Sequence, residues 1–124
     1  MMNVPIPSIL IVEDEVILRW DAVSIFEDAG FTVFEAANAD AALRVLEAQA
    51  GVHVVFTDVQ MPGTLDGLGL AQEVRKRWPR TGVVITSGRS QPGGSDMPDD
   101  CRFIAKPYHP AVLVHKVREV VAAE

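Results

Sequence analysis

Short runs of β-branched and aromatic residues recur along the chain at 9–12, 31–34, 52–56, 83–86 and 102–105, and longer helix-patterned segments fall between most of them. The alternation predicts a βα repeat. Runs one, three and four are almost continuously apolar, the pattern of strands covered on both faces, whereas a sheet wet on one side shows strict alternation. A parallel sheet between two helical layers follows.

The helical segments carry their own punctuation. Leu18, Ala22, Ile25 and Ala29 fall at helical spacing over 15–29, and Gly30 behind them is a stop signal. Asn38 stands as N-cap before a second helix over 39–50, with Gly51 after it. Leu68, Ala71, Val74 and Trp78 form a third apolar stripe that halts at Pro79, and Val112 or Leu113 with Lys116, Val117, Val120 and Val121 marks a last helix. The segment 89–100 is different, because it contains Pro92, Gly93, Gly94 and Pro98. Inside a helix each proline costs about 3 kcal/mol and each glycine about 1 kcal/mol, so at most one turn is expected there, the rest being a mobile loop that can pass from disorder to order.

With 124 residues, 48% of them hydrophobic, the chain has material for one core, and the last helix runs almost to Glu124, so a single domain over 1–124 is expected. Seventeen acidic residues against 11 basic ones give a net charge of −6, which disfavours broad capture of nucleic acid or anionic membrane. No apolar run reaches the roughly 18 to 20 residues of a bilayer span, and the N-terminus lacks a signal-peptide layout, so the chain reads as cytoplasmic. The single cysteine, Cys101, excludes an internal disulfide and a cysteine-based zinc site, and His53, His109 and His115 are scattered.

Candidate chemistry lies just past the strands. Glu13-Asp14-Glu15 follows the first run and Asp58 follows the third, and in an open parallel sheet the ligand crevice lies at the carboxyl ends of the strands. Taken singly, Asp14 reads equally well as a helix cap, and Asp58 as the start of a turn before Met61-Pro62-Gly63. If strands one and three are neighbours, as in a 2-1-3-4-5 order, Glu13, Asp14 and Asp58 converge and repel, and a divalent cation would relieve them. All-oxygen ligation with few protein groups suits Mg²⁺. Thr86 and Lys106, at the ends of runs four and five, add a hydroxyl and an ammonium. Carboxylate, metal, hydroxyl and ammonium together make up a phosphoryl site.

Four segments carry a family likeness: Ile11-Val12-Glu13-Asp14-Glu15; Thr57-Asp58-Val59-Gln60-Met61-Pro62-Gly63 with Asp66-Gly67; Ile85-Thr86-Ser87-Gly88; and Phe103-Ile104-Ala105-Lys106-Pro107-Tyr108. Over essentially its whole length the chain resembles a response-regulator receiver domain of two-component signalling, of the stand-alone type. The resemblance implies an α/β fold, a flavodoxin-like doubly wound sheet of five parallel strands in order 2-1-3-4-5, with the fourth helix degenerate or missing. It implies that Asp58 accepts a phosphoryl group from a histidine kinase or histidine phosphotransfer protein. Mg²⁺ would be held by Asp14, by Glu13 directly or through water, by Asp58, and by the backbone carbonyl of Gln60. Lys106 would pair with the phosphoryl oxygens and Thr86 would swing toward one of them. Phe103 occupies the aromatic-switch position, although a plain core aromatic fits it equally well, and the Lys106-Pro107 peptide is expected cis. The protein would be a switch acting on a downstream protein target, catalysing only its own phosphorylation and slow autodephosphorylation. A homodimer is compatible with this picture.

Two departures from the family pattern matter. The loop 63–67 is one residue longer than the commonest spacing, which leaves the start of helix three open, and the broken segment 89–100 stands where the fourth helix would be. Rival readings fare worse. A haloacid-dehalogenase-type phosphatase expects a second aspartate where Gln60 stands. A flavin carrier expects a Ser/Thr/Gly phosphate loop where the three acids stand. A degenerate receiver acting only as an interaction module would not need all five chemical positions filled.

Overall fold

The computed structural model describes residues 6–88, 98 and 100–122. Its elements run β1 (Ser8–Val12), α1 (Val16–Asp28), β2 (Thr32–Ala36), α2 (Ala39–Ala48), β3 (Val54–Asp58), α3 (Gly67–Arg77), β4 (Gly82–Ser87), β5 (Cys101–Ala105) and α4 (Pro110–Ala122). All strands pair in parallel, in the order β2-β1-β3-β4-β5. This is the flavodoxin-like order expected, with the three most apolar runs inside.

Alternate residues of each strand feed two cores. Leu10, Val55 and Ile85 face α2 and α3, packing with Ala42, Leu46, Leu70 and Val74. Ile9, Phe56 and Val84 face α1 and α4, packing with Ala22, Phe26, Leu113 and Val117. Because both faces are covered, polar side chains of the three central strands lie only at or next to the strand ends.

Helix ends explain several shifted boundaries. Gly30, at φ 92°, donates its N–H to Glu27 O, and Phe31 donates to Phe26 O, both at 3.0 Å, the pairing of a Schellman stop. The rings of Phe26 and Phe31 meet edge-on at 5.2 Å, so Phe31 belongs to the helix stop and β2 begins one residue later. Asn38 Oδ1 accepts from Ala41 N at 2.8 Å and caps α2, which ends at Ala48 rather than at residue 50. Asp66 Oδ1 accepts from Gly69 N at 2.9 Å, which fixes the start of α3 that the longer loop had left open. The third strand lies two residues later than its apolar run, so Asp58 is the last residue of β3 rather than the first beyond it.

Gly67 is required by close approach. Its N–H donates to Val59 O at 2.9 Å, and a Cβ there would lie 1.9 Å from the carbonyl oxygen of Asp58. Only glycine lets α3 start against the end of β3. Among the described residues no helix separates β4 from β5. The loop expected over 89–100, with its passage from disorder to order, falls almost wholly on residues 89–97 and 99, outside the described residues.

Candidate functional site

The ends of β1, β3, β4 and β5 share one edge of the sheet, and ladder hydrogen bonds extend past them. Val59 N–H donates to Thr86 O and Lys106 N–H to Ser87 O, each at 2.9 Å, while Glu13 N–H donates to Ala36 O at 3.1 Å. The first residues of each connecting loop are therefore fixed in place by the neighbouring strand. Thr86 pairs in register with Asp58.

On that frame the acids meet. Ligand oxygens of Glu13, Asp14 and Asp58 all lie within 4.8 Å of one another. Lys106 Nζ donates to Asp58 Oδ2 at 2.7 Å and to Glu13 Oε1 at 3.2 Å, so one ammonium bridges carboxylates from two strands. Glu13 and Asp58 are buried and Asp14 is half-buried. Burial pushes the Glu13 carboxyl above its usual range, against the opposing pull of the Glu15 N–H and the Lys106 charge. Burial works the other way on Lys106, but the hydrogen bond and charge of Asp58, with those of Glu13, outweigh it and hold the ammonium above its ordinary value. The Tyr108 hydroxyl is raised mainly by burial.

The two local alternatives separate here. Asp58 Oδ1 accepts from Gln60 N at 3.1 Å, so Asp58 does make a turn, while its other oxygen serves the cluster. Asp14 does not cap α1: the N-cap is Glu15, which makes no side-chain cap, and the nearby N–H of Glu15 goes to Glu13 Oε2 at 3.1 Å. The donor set is all carboxylate, crowded and partly open to water, which fits a hard divalent cation.

Thr86 is buried, and its Oγ1 has no hydrogen-bond partner among the described residues. Phe103 is half-buried on the α2–α3 side of the sheet. The Lys106-Pro107 peptide is cis. Gln60 contributes its side chain as well as its backbone: Ser87 Oγ donates to Gln60 Oε1 at 2.9 Å, tying the end of β4 to the loop after β3.

Arg19 is a participant that sequence reasoning missed. Its Nη1 donates to the backbone oxygen of Glu13 at 3.0 Å and its Nε to Glu35 Oε1 at 2.9 Å, which pins the acidic loop to β2. The signal was available in principle, since a helix starting at 16 places residue 19 one turn below the loop. Beside the acids, the first turns of α1 expose Val16, Ile17, Leu18 and Trp20, with Ile17 72% and Trp20 57% accessible.

The response regulator receiver domain family matches residues 9–118. Sensor kinase CckA of Brucella abortus (strain 2308) is 34% identical over 118 residues, covering 92% of this chain and 12% of that protein. Aerobic respiration control protein ArcA of Escherichia coli K12 is 33% identical over 121 residues, 94% of this chain and 49% of that protein. The chain thus spans at most about half the length of these two relatives. Among solved structures, a response regulator receiver protein from Sinorhizobium medicae WSM419 matches with TM-score 0.89 and 29% identity, over 95% of this chain and 96% of that one. NtrX from Brucella abortus matches with TM-score 0.84 and 31% identity, over 96% of this chain and 28% of that one. No helix of the described residues is long and apolar enough to cross a membrane. Strand order, acidic sheet edge and these likenesses agree, and the chain belongs to the response regulator receiver domain family, the signalling domains of two-component systems.

Proposed function

We propose that Asp58 is the phosphoacceptor of a cytoplasmic signalling switch, taking its phosphoryl group from a phosphohistidine on a histidine kinase or a histidine phosphotransfer protein. The observation that carries this reading is the bridging of Asp58 and Glu13 by Lys106 beside Asp14, a cluster of three acids and one cation at the end of the sheet. A carboxylate oxygen of Asp58 forms a bond to phosphorus as the N–P bond of the phosphohistidine breaks, and the imidazole departs with its electron pair. The product is an aspartyl phosphate.

The residues that would hold Mg²⁺ are Asp14, Glu13, Asp58 and the backbone carbonyl of Gln60; the ion would supply positive charge against the phosphoryl oxygens and the crowded acids. Lys106 already faces Asp58 and keeps its ammonium within reach of an oxygen added there. Thr86, with an unanswered buried hydroxyl, gains an acceptor when the phosphoryl group arrives. Phe103 stands one register step away, opposite Ile85, and is the aromatic expected to move with Thr86. The exposed apolar turns of α1 are the surface for the donor protein, because a donor that brings its histidine to Asp58 must cover the ground beside Asp14.

Incubation with a small acyl phosphate and Mg²⁺, followed by intact-mass measurement, tests the reading. The wild-type protein gains one phosphoryl group and Asp58→Asn gains none. Equal labelling of the variant removes Asp58 from the role.

A further inference from the structure

The end of the sheet opposite Asp58 holds a cavity of about 1030 Å³, walled by the end of α3, the approach to β4 and the start of β5. Its charge runs against the rest of the chain. The protein is acidic, with 17 acidic and 11 basic residues, yet four of those 11, Arg75, Arg77, Arg80 and Arg102, line this cavity, against one carboxylate, Asp100, among the described residues.

Two of the arginines are committed to the protein. Arg75 Nη1 donates to Thr81 O at 2.8 Å, which holds its guanidinium against the approach to β4. Its ion pair with Asp100 is loose, 3.8 Å to a carboxylate whose side chain is 83% exposed. Arg77 bonds to Glu47 at 2.6 Å and lies 4.4 Å from the ring centroid of Trp78. Arg80 and Arg102 are exposed, and neither has an ion pair or side-chain hydrogen bond among the described residues.

Each free guanidinium presents paired N–H donors that match two oxygens of one phosphate or carboxylate. A ligand with one anionic group would answer one arginine and leave the other facing like charge. Two free forks suit an anion with two linked phosphates, one for each guanidinium, and the volume is about that of the largest small-molecule sites, which span roughly 300 to 1,000 Å³.

We propose that this cavity is a second ligand site, distinct from the acidic edge, that binds a diphosphate group, with Arg80 and Arg102 gripping the phosphates and Arg75 forming the fixed wall. Inorganic pyrophosphate and the diphosphate of a nucleotide share this chemistry. A nucleotide adds a base that can stack over the Arg77–Trp78 layer.

Titration of the full chain with pyrophosphate and with ADP in Mg²⁺-free buffer, followed by backbone amide NMR, tests the proposal. Saturable shifts are expected at Gly82 and Arg102 but not at Asp58 or Lys106. Arg80→Ala and Arg102→Ala, both at exposed positions, should each weaken binding at least tenfold. ADP and pyrophosphate binding alike would locate the affinity in the phosphates, and tighter binding of ADP would bring in the base; both outcomes support the site. No saturation at millimolar ligand, shifts centred on Lys106, or an affinity indifferent to both arginine substitutions would overturn it. Equal binding of sulfate, lost in moderate salt, would overturn it as well, because that is bulk screening rather than recognition.

Discussion

The ammonium of Lys106 lies 2.7 Å from one carboxylate oxygen of Asp58, across 48 residues of sequence. Both side chains are largely withdrawn from water, at 21% and 8% exposure, so the contact is a charge-assisted hydrogen bond in a partly desolvated edge. Removing the cation leaves Asp58 and Glu13 facing each other uncompensated. Breaking a fully buried pair costs about 3–5 kcal/mol, and the residual exposure of Lys106 reduces this, so Lys106→Ala should lower metal-free stability by about 1–3 kcal/mol. Mg²⁺ should restore most of that loss. Thermal melts with and without the ion measure it, and a deficit untouched by Mg²⁺ would assign Lys106 a packing role.

Thr86 gives the opposite sign. A buried hydroxyl without a partner costs about 1–3 kcal/mol, so Thr86→Val should leave the unphosphorylated protein equally stable or about 1 kcal/mol more stable. The same variant should take up phosphoryl groups yet lose the spectral change that follows. Denaturant midpoints and beryllofluoride-induced NMR shifts report the two halves separately. Wild-type shifts in the variant would show that the hydroxyl has no part in switching.

Asp14 is half-buried and caps nothing in α1. Asp14→Ala should therefore weaken Mg²⁺ binding tenfold or more while leaving the metal-free melt within about 0.5 kcal/mol of wild type, since relief of like-charge crowding offsets any lost contact. Metal titration alongside metal-free calorimetry decides this, and a large loss of metal-free stability would mark Asp14 as structural.

Trp20 is 57% exposed on the first turns of α1. Trp20→Ala should slow phosphoryl transfer from the partner kinase at least tenfold, in the manner of an interface anchor, and leave labelling by a small acyl phosphate unchanged. Parallel time courses with the two donors separate docking from chemistry. Equal slowing with both donors would count against a docking role.

Much of this arrangement was readable from the chain because parallel strands covered on both faces write themselves as unbroken apolar runs. Ile9 to Val12 is such a run, and the residues after it had to lie at an edge. Boundaries were blurred where apolar residues serve turns. Phe31 reads as strand but completes a helix stop, and Val52 reads as strand but precedes β3. Asp58, Glu13 and Lys106 could be grouped only by supposing a strand order, which the register then supplied. Arg19 could be placed only from the exact start of α1, and the arginine-lined cavity left no comparable trace. Arg75, Arg80 and Arg102 come from a helix, a loop and a strand, and a net charge of −6 hides their clustering.

Glu13 and Lys106 touch across 93 positions of sequence, and this spacing has a consequence for biosynthesis. A ribosome releases the acids of β1 and β3 first, and their counter-cation follows only after β5. A stalled or prematurely terminated chain therefore displays carboxylates without the ammonium that steadies them. The acidic edge is therefore balanced only once the chain beyond β5 has joined the sheet.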